Sequence, residues 1–295
     1  MQKETLSELK PIGFGEDRIP GLKESREKTQ EESICRVKGL AIEEALNHFA
    51  HIQDPTNTAE LTKRELAASK NSIWDKLFGT TVVDRSGKVA DIIPATGFDN
   101  DSPDVVAFRK KLVQSATLID WKISVEWRIL PASSRISKEH SIRRRDLLFL
   151  VTNNPFIPPG HEGFYLRGIQ AGFFGDWTIA MHMLIPQLEA SVRNVIQQHG
   201  GLTSTRESDG TQNEKDINQL LWDEKLGTIF GQDILFDLRG ILIEKCGCNM
   251  RNELAHGLMP ENAFYRLESV YLWWLVIRLC WIGYKCIPEE LPEMP

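Results

Sequence analysis

The segment Gly247-Cys248-Asn249-Met250-Arg251-Asn252-Glu253-Leu254-Ala255-His256-Gly257 places an arginine, an amide and an imidazole within six residues. On a helix advancing about 100° per residue, Asn252 and His256 share a face, while Arg251 starts to one side and reaches around on its long stem. The three head groups can then converge. A guanidinium grips a phosphate bidentately, an imidazole titrates near neutrality and an amide orients either one. Together they are a minimal kit for in-line cleavage of RNA by its own 2′-hydroxyl, a reaction that requires no metal ion. The same residues have a plainer reading. Arg and Asn at a helix start cap or pair locally, and His followed by Gly257 ends a helix. On spacing alone both readings stay open.

A second constellation lies upstream. Steps of seven and four residues put His182, Glu189 and Arg193 on one helical face, with Pro186 in the same stripe. Glu189 can orient Arg251 or His256 and Arg193 can bind a phosphate; alternatively the two form an ordinary i,i+4 pair on a solvated face. Between Arg135 and Arg145 stand five basic residues, Arg135, Lys138, Arg143, Arg144 and Arg145, against the single acid Glu139. Arg143, Arg144 and Arg145 are candidates for gripping an RNA backbone, but no aromatic residues interleave to stack bases, so a solvated charged face fits as well. Cys246 and Cys248 with His256 lack the spacing of a zinc finger and a fourth ligand, so no metal site is expected. No Walker-type loop, dinucleotide fingerprint or nucleophile elbow occurs, and no cofactor is expected.

These residues must be positioned by helices. The first forty or so residues are charged and punctuated by Gly13, Gly15, Pro20 and Gly21, suggesting an irregular lead-in before a helix over 34–52. Asp54-Pro55-Thr56-Asn57 stops it, and a second helix is expected over 58–78. A Ser-Gly turn between β-branched runs reads as a small hairpin over 81–93. Helical spacing covers all of 105–130, whereas strand-like alternation covers only its end, so length favours helix. Asn153-Asn-Pro-Phe-Ile-Pro-Pro-Gly160 cannot continue a helix and is read as the boundary between an N-terminal region, 1–152, and a C-terminal domain, 161–295. Within the latter, 164–198 reads as one long helix or a pair bent at Gly172, Gly175 or Pro186. A polar loop follows over 200–210, then helices over 216–230, 233–246 and 263–286.

With 41% hydrophobic and 26% charged residues, the chain has the composition of a globular protein, and its net charge of -6 argues against a general DNA coater without excluding a local basic groove. Five scattered cysteines do not form the paired framework of a secreted domain, and Met1 to Glu8 lacks the basic start and apolar stretch of a signal peptide; a cytoplasmic location is the expectation. Val270 to Ile287 is apolar, but Arg278 in its middle and Lys285 near its end fit a buried helix better than a membrane span of roughly 20 apolar residues. Trp273, Trp274 and Trp281 read as core or dimer interface. With Tyr284 they occupy more of the helix circumference than one small bundle is expected to cover, which suggests a homodimer.

Arg251-Asn252-Glu253-Leu254-Ala255-His256 resembles the signature of the HEPN superfamily: Arg, a polar residue directly after it, and His four to six intervening residues on. The likeness extends to Phe173-Phe-Gly-Asp-Trp177, Ile185-Pro-Gln-Leu-Glu189 with Arg193, Ile229-Phe-Gly-Gln-Asp233 and Gly257. It reaches back to Asp84-Arg-Ser-Gly-Lys88 and Asn154-Pro-Phe-Ile-Pro-Pro-Gly160, and so covers roughly the last two-thirds of the chain. Together these segments are similar to a bacterial HEPN family. The resemblance implies a mainly α fold with a C-terminal bundle of about four or five helices. It also implies a dimer with two motifs facing each other, and metal-independent endoribonuclease activity leaving cyclic-phosphate ends. A role as toxin or anti-phage defence effector, restrained by an antitoxin or defence-system partner, comes with it. A non-catalytic HEPN module binding RNA or a nucleotide as a sensor or assembly subunit needs the same pocket.

Overall fold

In the computed structural model, which describes residues 20–84, 87–95, 104–206 and 211–287, the charged stretch after Gly21 forms a helix, α1 (Leu22–Cys35). Over 22–35 this corrects the irregular lead-in that charge and glycines suggest; Gly13 and Gly15, on which that expectation also rests, lie outside the described residues. The charges are helix-supporting: Lys23 pairs with Glu27 at 4.0 Å and Lys28 with Glu32 at 3.9 Å, both one turn apart. Gly39, at φ +74°, then turns the chain into α2 (Ile42–Ala50), so the helix expected over 34–52 begins only at Ile42, and Ile34 and Cys35 end α1 instead. Asn57 caps α3 (Thr58–Asn71) by accepting from the Glu60 N–H, and a break at Ser72 separates it from α4 (Ile73–Leu77). Strands β1 (Thr80–Val83) and β2 (Val89–Ile93) form the expected antiparallel hairpin, with Thr80 opposite Ile93 and a bulge at Val82/Val83.

A continuous helical run over 105–139, α5, is longer than the 105–130 pattern suggests. Its α-helical stretches are interrupted by π turns at Ala116–Asp120 and Val125–Ile129. The second lies just before Pro131, where a wider turn takes up the ring and the missing N–H. A 3₁₀ turn, Arg144–Leu147, leads into α6 (Leu148–Val151).

After the proline-rich linker come α7 (Glu162–Phe173) and α8 (Trp177–Gln198), the pair form of the expected 164–198 helix. Gly175, at φ +75°, separates them, and the Asp176 side chain caps α8 by accepting from the Ile179 N–H at 2.9 Å. Pro186 lies inside α8 without ending it. A second hairpin, β3 (Ser204–Arg206) and β4 (Gln212–Glu214), stands where a polar loop is expected; strands of three residues are too short to show alternation. The helix expected over 216–230 is two, α9 (Ile217–Leu220) and α10 (Glu224–Phe230), each with an aspartate cap. Then follow α11 (Gln232–Leu242), α12 (Met250–Ala255) and α13 (Leu267–Lys285).

Helix α13 is the axis of the fold. Helices α7, α8 and α11 pack on it from the C-terminal part, and α2, α6 and the middle of α5 from the N-terminal part. Indole donors fasten it: Trp273 Nε1 to the Ile169 carbonyl and Trp274 Nε1 to the Phe49 carbonyl, each at 3.0 Å. Arg278, the charge inside the apolar run, donates to the carbonyls of Ala50 at 3.1 Å and Gln53 at 2.9 Å. With Trp273 and Trp274 fully buried and Trp281 3% exposed, one chain covers these aromatics; the argument for a dimer through this helix is thereby corrected. The buried side chains form one cluster running from Val37 to Trp281, across the 153–160 linker. Among the described residues no helix is long and apolar enough to cross a membrane.

Candidate active site around Arg251

Two glycines bring the chain to the motif. At Gly247 a Cβ would lie 2.1 Å from the Gly240 carbonyl oxygen, so only glycine lets this strand of chain cross the end of α11, where Cys248 N–H donates to that oxygen at 2.9 Å. Asn249 then takes the left-handed conformation, φ 48°, and starts α12, whose first residue, Met250, is fully buried and pins the helix to the core. At the other end Gly257, φ +65°, donates to the Leu254 carbonyl at 3.1 Å and Leu258 donates to that of Glu253 at 2.8 Å. This is a Schellman stop. His256 is therefore the C-cap residue, as the plainer reading of His-Gly has it, and that backbone role leaves its imidazole exposed.

Helix α8 supplies the partner for Arg251. Glu189 Oε2 accepts from Arg251 Nε and Nη2, both at 3.1 Å, while Glu189 Oε1 accepts from Arg193 Nη2 at 3.3 Å. The Glu189–Arg193 pair thus exists, but each side chain is less than a quarter exposed and both reach further, so it is not an isolated pair on a solvated face. Arg193 Nη2 also donates to the Lys215 carbonyl at 2.9 Å, and its Nε lies 3.1 Å from Glu214 Oε2.

The motif amide closes the arrangement into a ring. Asn252 Oδ1 accepts from Arg251 Nη1 at 3.2 Å, and Asn252 Nδ2 donates to Asn249 Oδ1 at 2.7 Å and Asn218 Oδ1 at 3.2 Å. Asn218 Nδ2 returns to Asn252 Oδ1 at 3.4 Å and reaches Asp216 Oδ2 at 3.0 Å. Since Glu214, Lys215, Asp216 and Asn218 belong to one stretch of chain, Arg251, Glu189, Arg193 and Asn252 are tied into a single circuit. Every polar atom of the Asn252 amide is engaged, which fixes its orientation. Three of the five Arg251 N–H groups are used, leaving two for a ligand.

His256 sits one turn beyond Asn252 on the same face, its N–H donating to the Asn252 carbonyl at 3.1 Å. Its imidazole has no hydrogen-bond partner among the described residues. His182 is not joined to the circuit: Nδ1 contacts the Thr178 carbonyl at 2.8 Å, and the ring packs 4.8 Å from that of Phe264. Arg143, Arg144 and Arg145 lie exposed on the 3₁₀ turn packed on α6 and α7, and no hydrogen bond or ion pair joins them to Arg251 or Asn252. Arg135 is paired with Glu139. Sequence reasoning missed Asn218, Asp216 and Asn249. Asp216 and Asn218 read as an ordinary helix start, and Asp216 does cap α9 by accepting from the Gln219 N–H at 3.1 Å.

Cys246 and Cys248 are buried beside the motif, and desolvation pushes both thiols up to about 12, so they stay neutral near pH 7. Among the described residues no group of three or more His, Cys, Asp or Glu is placed to hold a metal ion. Compared with protein-family models, curated proteins and solved structures, the chain matches none.

Proposed function

We propose that the protein is a metal-independent endoribonuclease of HEPN type, with Arg251, Asn252 and His256 at its catalytic centre. The observation that carries this reading is the oriented Arg251 guanidinium, held by Glu189 and by Asn252 with two N–H groups spare, on a short helix where Asn252 stands one turn before the exposed His256 imidazole. Those N–H groups hold the scissile phosphate and stabilise the charge of its pentacovalent state. His256 takes the proton of the 2′-hydroxyl; the 2′-oxygen attacks phosphorus in line, the P–O5′ bond breaks, and the leaving oxygen takes a proton from an imidazolium. The products are a 2′,3′-cyclic phosphate and a 5′-hydroxyl end.

One chain offers one imidazole at this site, whereas the step uses a base and an acid. A homodimer with α12 facing α12 supplies His256 twice, and this catalytic need, not the buried α13, is the ground for a dimer. The test is RNA cleavage in excess chelator, wild type against His256→Ala, with mixed dimers read for a dominant effect. From the resemblance the reading extends to a toxin or anti-phage effector restrained by a partner protein, and to a cytoplasmic location. Expression in cells should then arrest growth for the wild type and not for His256→Ala.

A second reading, RNA or nucleotide binding without cleavage, is favoured by one observation: no described side chain orients the His256 imidazole. Binding of uncleaved RNA by a wild type that leaves it intact would establish that reading.

A further inference from the structure

We propose that the groove between the first hairpin and α12 carries the single-stranded RNA that flanks the cleaved phosphate, with Lys88 and Lys245 on its backbone. The proposal rests on the ribonuclease reading and names the substrate path for it. The groove encloses about 790 Å³. One wall is the β1–β2 hairpin, and the other is the chain from Lys245 through α12 to Pro260. The groove borders the motif without including it: Asn249, whose Oδ1 accepts from the Asn252 amide at 2.7 Å, and Gly257, the residue after His256, line it, while Arg251, Asn252 and His256 do not.

Its chemistry suits a nucleotide chain. Val83, Val89 and Leu258 line it with apolar side chains that are 59%, 60% and 65% exposed, a surface on which bases can pack. Lys88 and Lys245 stand exposed on opposite walls, and neither ammonium has a hydrogen-bond or ion-pair partner among the described residues. Arg266 adds a third positive charge, held in place by donating to the Cys248 carbonyl at 3.2 Å. The two acids of the lining are placed differently. Asp84 accepts from the Lys88 backbone N–H at 2.9 Å within the hairpin turn, and Glu253 turns Oε2 into the protein. Lysines on the rim with apolar patches between them match phosphates outside and bases inside, in a chain whose overall charge is negative. The basic triplet Arg143–Arg145 packs on α6 and α7 and lines no part of this groove.

The experiment measures binding of a fluorescent single-stranded RNA to the His256→Ala protein across a salt series. Lys88→Ala, Lys245→Ala, the double variant and an Arg143→Ala/Arg144→Ala/Arg145→Ala variant are compared in that background. Circular dichroism melting of each shows that the fold is kept. Each lysine substitution is expected to weaken binding several-fold and to lower the slope of log K against log salt by about 0.7, the value for one phosphate contact on a single strand. The triplet variant is expected to bind as the parent does. Unchanged binding by the double lysine variant, with wild-type protein still cleaving RNA, overturns the groove and leaves the ribonuclease reading standing. Loss confined to the triplet variant moves the path there and overturns the groove as well. A wild-type protein that neither binds nor cleaves RNA overturns both.

Discussion

Glu189 Oε2 accepts from both Nε and Nη2 of Arg251 at 3.1 Å, bridging 62 residues of sequence, while its other oxygen holds Arg193. One carboxylate on α8 therefore restrains two part-buried guanidiniums. Glu189→Ala takes the carboxylate from both, leaving Arg251 with Asn252 and Arg193 with Glu214 and the Lys215 carbonyl, whereas Arg251→Ala leaves the Glu189–Arg193 pair in place. The expected costs are about 1–3 kcal/mol for Glu189→Ala and less for Arg251→Ala, discounted from fully buried pairs because each group keeps some contact with water. Chemical denaturation of the two variants checks the order; an Arg251→Ala protein less stable than Glu189→Ala contradicts the circuit. Both are expected to lose cleavage.

Asn218 acts on Arg251 only through Asn252. A double-mutant cycle with Asn218→Ala and Asn252→Ala should therefore show a coupling energy of about 0.5–2 kcal/mol in stability. In cleavage, Asn218→Ala should lower kcat more than it raises KM, since it loosens a group that acts on the transition state. Strict additivity of the two substitutions would remove Asn218 from the site.

The legible and illegible parts of this site differ in physical origin. Arg251, Asn252 and His256, and separately Glu189 and Arg193, stand at helical spacings, so each set is visible in the chain by itself. That Glu189 meets Arg251 is a tertiary fact, set by the packing of α8 against α12; helical spacing leaves it open whether Glu189 orients Arg251 or only pairs with Arg193. Asn218 was invisible because Asp216-Ile217-Asn218 has the composition of any helix start. The α13 aromatics misled for a similar reason: their exposure depends on α2 and α5, from the other end of the sequence, covering the faces that α7 and α8 leave open. Likewise the charges of 22–35, with the glycines before them, read as an irregular lead-in, whereas pairing one turn apart and packing on the middle of α5 make this stretch a helix.

Gly247→Ala tests how the motif is placed. The added methyl meets a backbone carbonyl, which cannot swing aside as a side chain end can. The turn at Cys248–Asn249 must shift, at an expected cost of about 1–3 kcal/mol. Cleavage should fall further than the melting temperature suggests, because Asn249 holds the Asn252 amide at 2.7 Å. Activity retained in proportion to folded protein would show that the turn does not set the site.

Asp237, fully buried beneath α13, gives a pH prediction. It accepts from Thr56 N at 3.0 Å, Trp121 Nε1 at 2.9 Å and Tyr271 OH at 2.7 Å, yet desolvation outweighs these bonds and raises its carboxyl from 3.8 to about 6. Between those values the folded chain keeps a proton that the unfolded chain has released. The contribution of Asp237 to stability is therefore fully present below about pH 4, falls as pH rises through this window, and is constant above about 6. Other carboxylates titrate over the same range, so the readout is the difference in melting temperature between wild type and Asp237→Asn from pH 4 to 7. That difference should shift in favour of the variant as pH rises and then level off; a flat difference refutes the shift.

The most direct test of the central claim is a single cleavage assay on single-stranded RNA in excess chelator, comparing wild type with His256→Ala and analysing the product ends. The account predicts cleavage by the wild type that chelator leaves unchanged, cyclic-phosphate and 5′-hydroxyl ends, and a loss of at least about 100-fold in a normally folded His256→Ala protein. Wild-type protein that leaves RNA intact, His256→Ala protein as active as wild type, or activity that appears only with a divalent cation would contradict it.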